Sequence, residues 1–158
     1  MNTQQLKNVL SMDKYCKNII FDVCALDQLS DKKPKCNIST AIIVNLDPAN
    51  LPGSHWVCLY LRKHHYAEFF CSYGTKPPQA CLELLQLCHC QIKINTVTFQ
   101  EDTFVCGQYC LFYILSRSRG IPMHKILHNL DVPYNDPLMH NFVKRIYPKV
   151  PFNLHSVV

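Results

Sequence analysis

The stretch S-H-W-V-C-L-Y-L-R-K-H-H-Y-A-E-F-F-C, residues 54–71, consists of two apolar runs joined by a short basic tip. Runs of this length, rich in aromatic and β-branched residues, read as strands, and so short a tip makes them a hairpin. With the tip at Arg62, Lys63 and His64, Leu61 pairs with His65. Counting outward, residue 55 then falls opposite residue 71, so His55 and Cys71 are cross-strand neighbours on one face. A two-residue tip puts Ser72 opposite His55 instead. Glu68 lies an odd number of residues from Cys71 and faces away.

Upstream, T-A-I-I-V-N-L (40–46) is β-branched and almost wholly apolar, a buried strand that ends in the turn D-P-A-N-L-P-G-S. Residues 3–10 read as a short helix, and an irregular region with Asp22, Asp27 and the polar segment 30–37 follows. Downstream, S-Y-G-T-K-P-P closes the hairpin, 78–89 reads as a helix, and 91–99 alternates as a half-exposed strand does. Residues 106–118 carry little polar surface and read as a central helix, stopped by Gly120 and Pro122. One or two amphipathic helices fill 123–147. The expected fold is α+β, one domain over 1–158, with a small, mostly antiparallel central sheet flanked by helices.

A chain of 158 residues, 48% apolar and without repeats or low-complexity tracts, buries a core without disulfide staples. No apolar run reaches bilayer length, so no membrane association is expected. The N-terminus lacks the basic-then-apolar pattern of a signal peptide, and the expectation is an intracellular protein that is not secreted. Most of its ten cysteines then read as small buried apolar residues, with one or two reactive, rather than as a disulfide scaffold. The formal charge of +5 is scattered, which allows weak salt-sensitive DNA contact or simply a solvated surface. C-H-C at 88–90, with Cys81 nearby, lacks the paired C-x-x-C knuckles of structural zinc, and His124 and His128 have no third ligand, so no metal site is expected. The remaining histidines, His64, His65, His89, His140 and His155, read as surface or helix-face residues.

Q-E-D-T-F-V-C-G-Q-Y-C, residues 100–110, places Cys106 at the opening of the central helix. Unpaired N–H groups and the helix dipole there favour a thiolate, Gly107 leaves space beside it, and the same amides suit an oxyanion. Cys110, one turn on, reads as a core-facing residue.

Taken in order, S-H-W-V-C-L-Y-L, F-F-C-S-Y-G and Q-E-D-T-F-V-C-G-Q-Y-C-L-F resemble the adenovirus protease (adenain) family of cysteine peptidases, related to ubiquitin-like-protein proteases. The similarity spans roughly residues 6–118, and the tail is more like the related proteases of virus-like DNA transposons and small DNA viruses. It implies His55 as base, Cys106 as nucleophile, Gln100 with the Cys106 amide as oxyanion donors, and Trp56 as a shield for the His-bearing strand. At the position of the family's acid stands Cys71, and a neutral thiol does not stabilise an imidazolium as a carboxylate does. Three readings stay open: a Cys106–His55 pair oriented by Ser72, a carbonyl or water; an acid from Glu68 or Asp102; or a degenerate binding relative.

The resemblance further implies viral precursor polypeptides as substrates, cut after small residues such as Gly during capsid or core maturation. The setting is the host nucleus or cytoplasm, and the virion. No cofactor is required by the sequence, but the family implies an activating peptide, with Cys90 in a place similar to the cysteine that bonds it, and DNA as a further activator. The alternative is a catalytically impaired relative that binds peptides or ubiquitin-like tails, or a protease that removes ubiquitin-like modifiers.

Overall fold

The computed structural model describes residues 1–35, 37–101, 104–130 and 135–148. Its elements in chain order are α1 (Thr3–Met12), β1 (Ile20–Ala25), β2 (Thr40–Asn45), β3 (Trp56–Arg62), β4 (Tyr66–Phe70), α2 (Gln79–Gln86), β5 (Ile92–Ile94), α3 (Cys106–Ser118), α4 (Met123–Asn129) and α5 (Asn135–Ile146). The strands form one sheet in the order β1-β2-β3-β4-β5. Its central pairs, β2–β3 and β3–β4, are antiparallel, and its outer pairs, β1–β2 and β4–β5, are parallel. Among the described residues no helix is long and apolar enough to cross a membrane.

Helices cover both faces of the sheet, so its central strands are buried on two sides and their sequences run apolar without alternation. Ala41, Ile43, Cys58, Tyr60 and Phe70 face α3, while Ile42, Val44, Val57, Leu59 and Phe69 face α2. The α3 helix is buried on nearly every side, and its bounds are those expected. A capping box between Asn2 and Gln5 starts α1, which turns Leu6, Val9 and Leu10 inward. Asp13, just past α1, accepts from Arg119 at the end of α3 (2.5 Å) and from Tyr147 after α5 (2.7 Å).

Three expectations need correction. Residues 20–25, expected to be irregular, form β1. Asp22 interrupts the apolar run, but at a sheet edge it stays within reach of Lys32 (2.6 Å) and Lys7 (3.4 Å). The strand expected over 91–99 stops at Ile94, because Asn95, buried at 1% exposure, turns inward to bond the backbone of Cys71.

The hairpin turns at Lys63, His64 and His65, one residue later than expected, so Leu61 pairs with Ala67 and Arg62 with Tyr66. His64 takes a left-handed conformation (φ 62°), and its amide donates to the Cys88 carbonyl (2.7 Å) at the end of α2. A contact remote in sequence thus fixes the tip. The register moves by two residues, which returns every side chain to its expected face. Glu68 accordingly points at α3, where it accepts from Tyr113 (2.9 Å) and pairs with Arg117 (2.7 Å).

Candidate active site

His55 sits at the mouth of β3, its carbonyl accepting from the Leu46 amide (2.9 Å). In the true register residue 55 lies across from Tyr73, and the two rings lie 4.8 Å apart. Cys71 is the diagonal neighbour on the same face, and its Sγ lies 3.2 Å from His55 Nε2. The same sulfur lies 3.1 Å from Thr75 Oγ1. Protons can run from Thr75 to the sulfur to Nε2, or in the opposite order, in which Nε2–H donates to the Cys71 sulfur and its S–H donates to Thr75. The latter order leaves Nδ1 unprotonated, the tautomer a base requires, without any carboxylate.

The turn Cys71–Gly74 is tight, with Gly74 at φ 64° donating to the Cys71 carbonyl (2.9 Å). A Cβ on Gly74 would lie 2.8 Å from backbone carbons of Thr96 and Val97, so this glycine lets the 95–100 segment press onto the turn. Asn95 Oδ1 accepts from the Cys71 amide (2.8 Å), and its Nδ2 donates to the Cys71 carbonyl (2.7 Å). Five residues on, Gln100 is buried at 2% exposure. Its Oε1 accepts from Ser72 Oγ (2.7 Å), and its Nε2 donates to Tyr73 Oη (3.1 Å). Ser72 thereby fixes which end of the amide is the donor. It serves Gln100, not His55 as one sequence reading had it.

Cys106 is the first residue of α3 and is half-buried. The Trp56 and Gly107 amides donate towards its sulfur, so the thiol lies against the residue next to His55. Burial outweighs those amides and pushes the Cys106 thiol up to about 11. Burial also holds His55 below its ordinary 6.5. Both directions favour the uncharged forms, against the thiolate expected at this helix start. Beside Cys106 opens a cleft of about 310 Å³, lined among others by Asn45, Gly53, Trp56 and the exposed Leu51 and Phe104.

Glu68 is committed to Tyr113 and Arg117 on the α3 face and does not supply an acid to His55. Asp102 and His155 lie outside the described residues. Cys110 meets Cys58 in the core, as a core-facing residue does. The nine described cysteines are free thiols, with Cys90 half-buried. Cys81 and Cys88 pack into the core while His89 is exposed, so the C-H-C triplet diverges. Sequence reasoning missed Tyr73, Thr75 and Asn95. Their only signal was proximity to Cys71 and Gln100, and no spacing rule marks them.

No family model matches the chain. The fold is similar to that of a solved protease and of one solved domain of an uncharacterized protein. The ASFV pS273R protease superposes with a TM-score of 0.51 at 23% identity, over 66% of this chain and 41% of its own. The central domain of the Lpg1148 protein from Legionella pneumophila gives 0.54 at 20% identity, over 92% of this chain and 94% of that domain. Among curated proteins, a protein of Acanthamoeba polyphaga mimivirus named "Putative thiol protease R355" is 27% identical over 100 residues. That match takes in 56% of this chain and spans 33% of the mimivirus protein. Fold and sequence thus agree in their similarity to viral cysteine peptidases.

Proposed function

We propose that the chain is a viral or virus-derived cysteine endopeptidase with Cys106 as nucleophile, His55 as base and Gln100 as oxyanion donor. One observation carries the reading: the Cys71–Tyr73 turn holds both the His55 ring and the Gln100 amide, and the backbone of Trp56, next to His55, meets the thiol that opens α3. His55 Nδ1 takes the Cys106 proton as the sulfur attacks the scissile carbonyl carbon. Gln100 Nε2 and the Cys106 amide donate to the resulting oxyanion, each worth roughly 3 kcal/mol in comparable sites. The imidazolium returns its proton to the leaving nitrogen as the C–N bond breaks, and water then hydrolyses the thioester. Because burial favours the neutral form of both groups, charge develops only once substrate is attacked, and Cys71 and Thr75 orient the ring while it does.

Viral structural precursors cut after small residues such as Gly are the proposed substrates, in the infected cell and the virion. An activating peptide bonded at Cys90, and DNA, are the proposed activators. The test is cleavage of the source virus's own precursors by wild type and Cys106→Ala, with and without such activators. Cleavage lost in the variant supports the reading; equal cleavage, or none under any condition, sinks it.

A second reading is an impaired relative that binds peptides or ubiquitin-like tails, favoured by the thiol at position 71 and the raised Cys106. A panel of Gly-Gly-terminated substrates separates precursor processing, modifier removal and binding without turnover.

A further inference from the structure

The 99–101 segment has no ladder of its own, so its peptide groups need partners from elsewhere. The Phe99 and Gln100 amides both donate to the Ser72 carbonyl, at 2.8 and 3.1 Å. The Phe99 carbonyl accepts from Tyr109 Oη (2.9 Å), and the Glu101 amide donates to Asp136 Oδ2 (3.2 Å). The same Tyr109 hydroxyl lies 2.7 Å from Asp136 Oδ1, so its proton serves both acceptors. Tyr109 and Asp136 are buried, at 0% and 5% exposure. Burial first, and Asp136 next, push the phenol well above its ordinary range, so the proton stays on the hydroxyl.

Tyr109 follows Cys106 by three residues on α3, about 4.5 Å along one rigid helix. Asp136 comes from the first turn of α5, which packs on α3 through Phe112 and Phe142, rings 5.2 Å apart. We propose that Tyr109 and Asp136 are positioning residues that lock the peptide groups on either side of Gln100 to the nucleophile's own helix. Through them the distance from oxyanion donor to attacking sulfur is set by α3 and α5 as much as by the turn at Ser72. The inference rests on the peptidase reading above and adds to it a role for α5, which no motif of the sequence marks.

The experiment compares Tyr109→Phe, Asp136→Asn and Asp136→Ala with wild type, at temperatures where each is folded. In Tyr109→Phe, kcat falls roughly tenfold to a hundredfold, as misplacement of a reacting group does, while KM stays within about twofold. A substrate-derived peptide aldehyde, whose hemithioacetal oxygen occupies the oxyanion position, binds weaker by the same factor. Alkylation of Cys106 by iodoacetamide is unchanged, because the thiol itself is untouched. Asp136→Asn, which keeps one acceptor, loses less than Asp136→Ala. Lower Tm with kcat and aldehyde affinity intact makes the pair merely structural and overturns the proposal. Should wild type cleave nothing, the peptidase reading fails on its own account. The proposal is then decided by the Gln100 side-chain amide resonances, assigned by their loss in Gln100→Glu. They shift towards the free-glutamine position in Tyr109→Phe if it holds, and an unchanged spectrum overturns it.

Discussion

Replacing Cys71 by Asp places a carboxylate where a thiol now meets His55 Nε2 at 3.2 Å. With charge centres about 4 Å apart and an effective dielectric constant of about 20, attraction to the imidazolium is about 4 kcal/mol. Position 71 is fully buried, and desolvating the carboxylate offsets roughly half of that. The remaining ~2 kcal/mol favours every state in which His55 carries the proton, including the transition state for attack, and corresponds to about thirtyfold in kcat. The same ~2 kcal/mol lifts the His55 pKa. Activity requires the neutral base, so the acid limb of kcat/KM moves to higher pH, and the gain at pH 8 exceeds that at pH 5.5. The assay is a pH series on one peptide substrate for wild type, Cys71→Asp and the neutral control Cys71→Asn, which gains nothing. Cys71→Asp combined with His55→Ala strands the buried carboxylate and costs about 3 kcal/mol or more in stability. A folded Cys71→Asp enzyme with kcat and acid limb both within twofold of wild type would refute the reasoning, since His55 would then not be gaining charge in the rate-limiting step.

Other consequences can be checked with purified protein. Iodoacetamide labelling of Cys106, read by mass spectrometry, rises with pH towards about 11 without levelling near 8.5, the ordinary thiol value; a plateau at neutral pH contradicts a neutral resting thiol. Glu68→Ala leaves Arg117, which lies over the Tyr60 and Tyr66 rings, without its carboxylate. The expected loss is about 3–5 kcal/mol in urea unfolding, and a loss below 1 kcal/mol would show that the ring faces suffice. Asp13 is held below its ordinary 3.8, because bonds from Tyr147, Arg119 and nearby amides outweigh burial. Its folded pKa is depressed, so its stabilisation is present above pH 3.8 and drains away as pH falls through the folded value. Asp13→Asn therefore lowers Tm at pH 6 and flattens its decline on acidification, and parallel curves would exclude the carboxylate as the cause.

The parts of this fold that were legible in the sequence are those governed by local rules. A Cys-Gly start and a Gly120 stop bound α3 correctly, and the almost wholly apolar runs at 40–46 and 56–61 gave two central strands. Side-chain parity put His55 and Cys71 on one face and Glu68 on the other, and this survived a register wrong by two, because the period of a strand is two. Contacts between distant segments were not legible. The tip at Lys63–His65 depends on a hydrogen bond from His64 to Cys88, and β1 was hidden by Asp22, whose lysine partners lie 15 residues before and 10 after it in the chain. Thr75, Tyr73 and Asn95 acquire meaning only when a tight turn brings them together. The resting charge of the site was not legible either, because helix-start position argues for a thiolate and burial against it, and burial cannot be weighed from the sequence.

Asp13 ties Arg119, at one end of α3, to segments that begin and close the described chain, while Cys106 stands at the other end. The helix is therefore a lever hinged at its far end. Its arm, at 1.5 Å per residue over the twelve steps between Cys106 and Ser118, is about 18 Å. A tilt of about 3° at the hinge swings the sulfur by about 1 Å, a displacement that costs about a hundredfold in rate when it falls on a reacting group. Were Cys106 the nucleophile, the Asp13–Arg119 ion pair would thus share with the packing around α3 the task of aiming it.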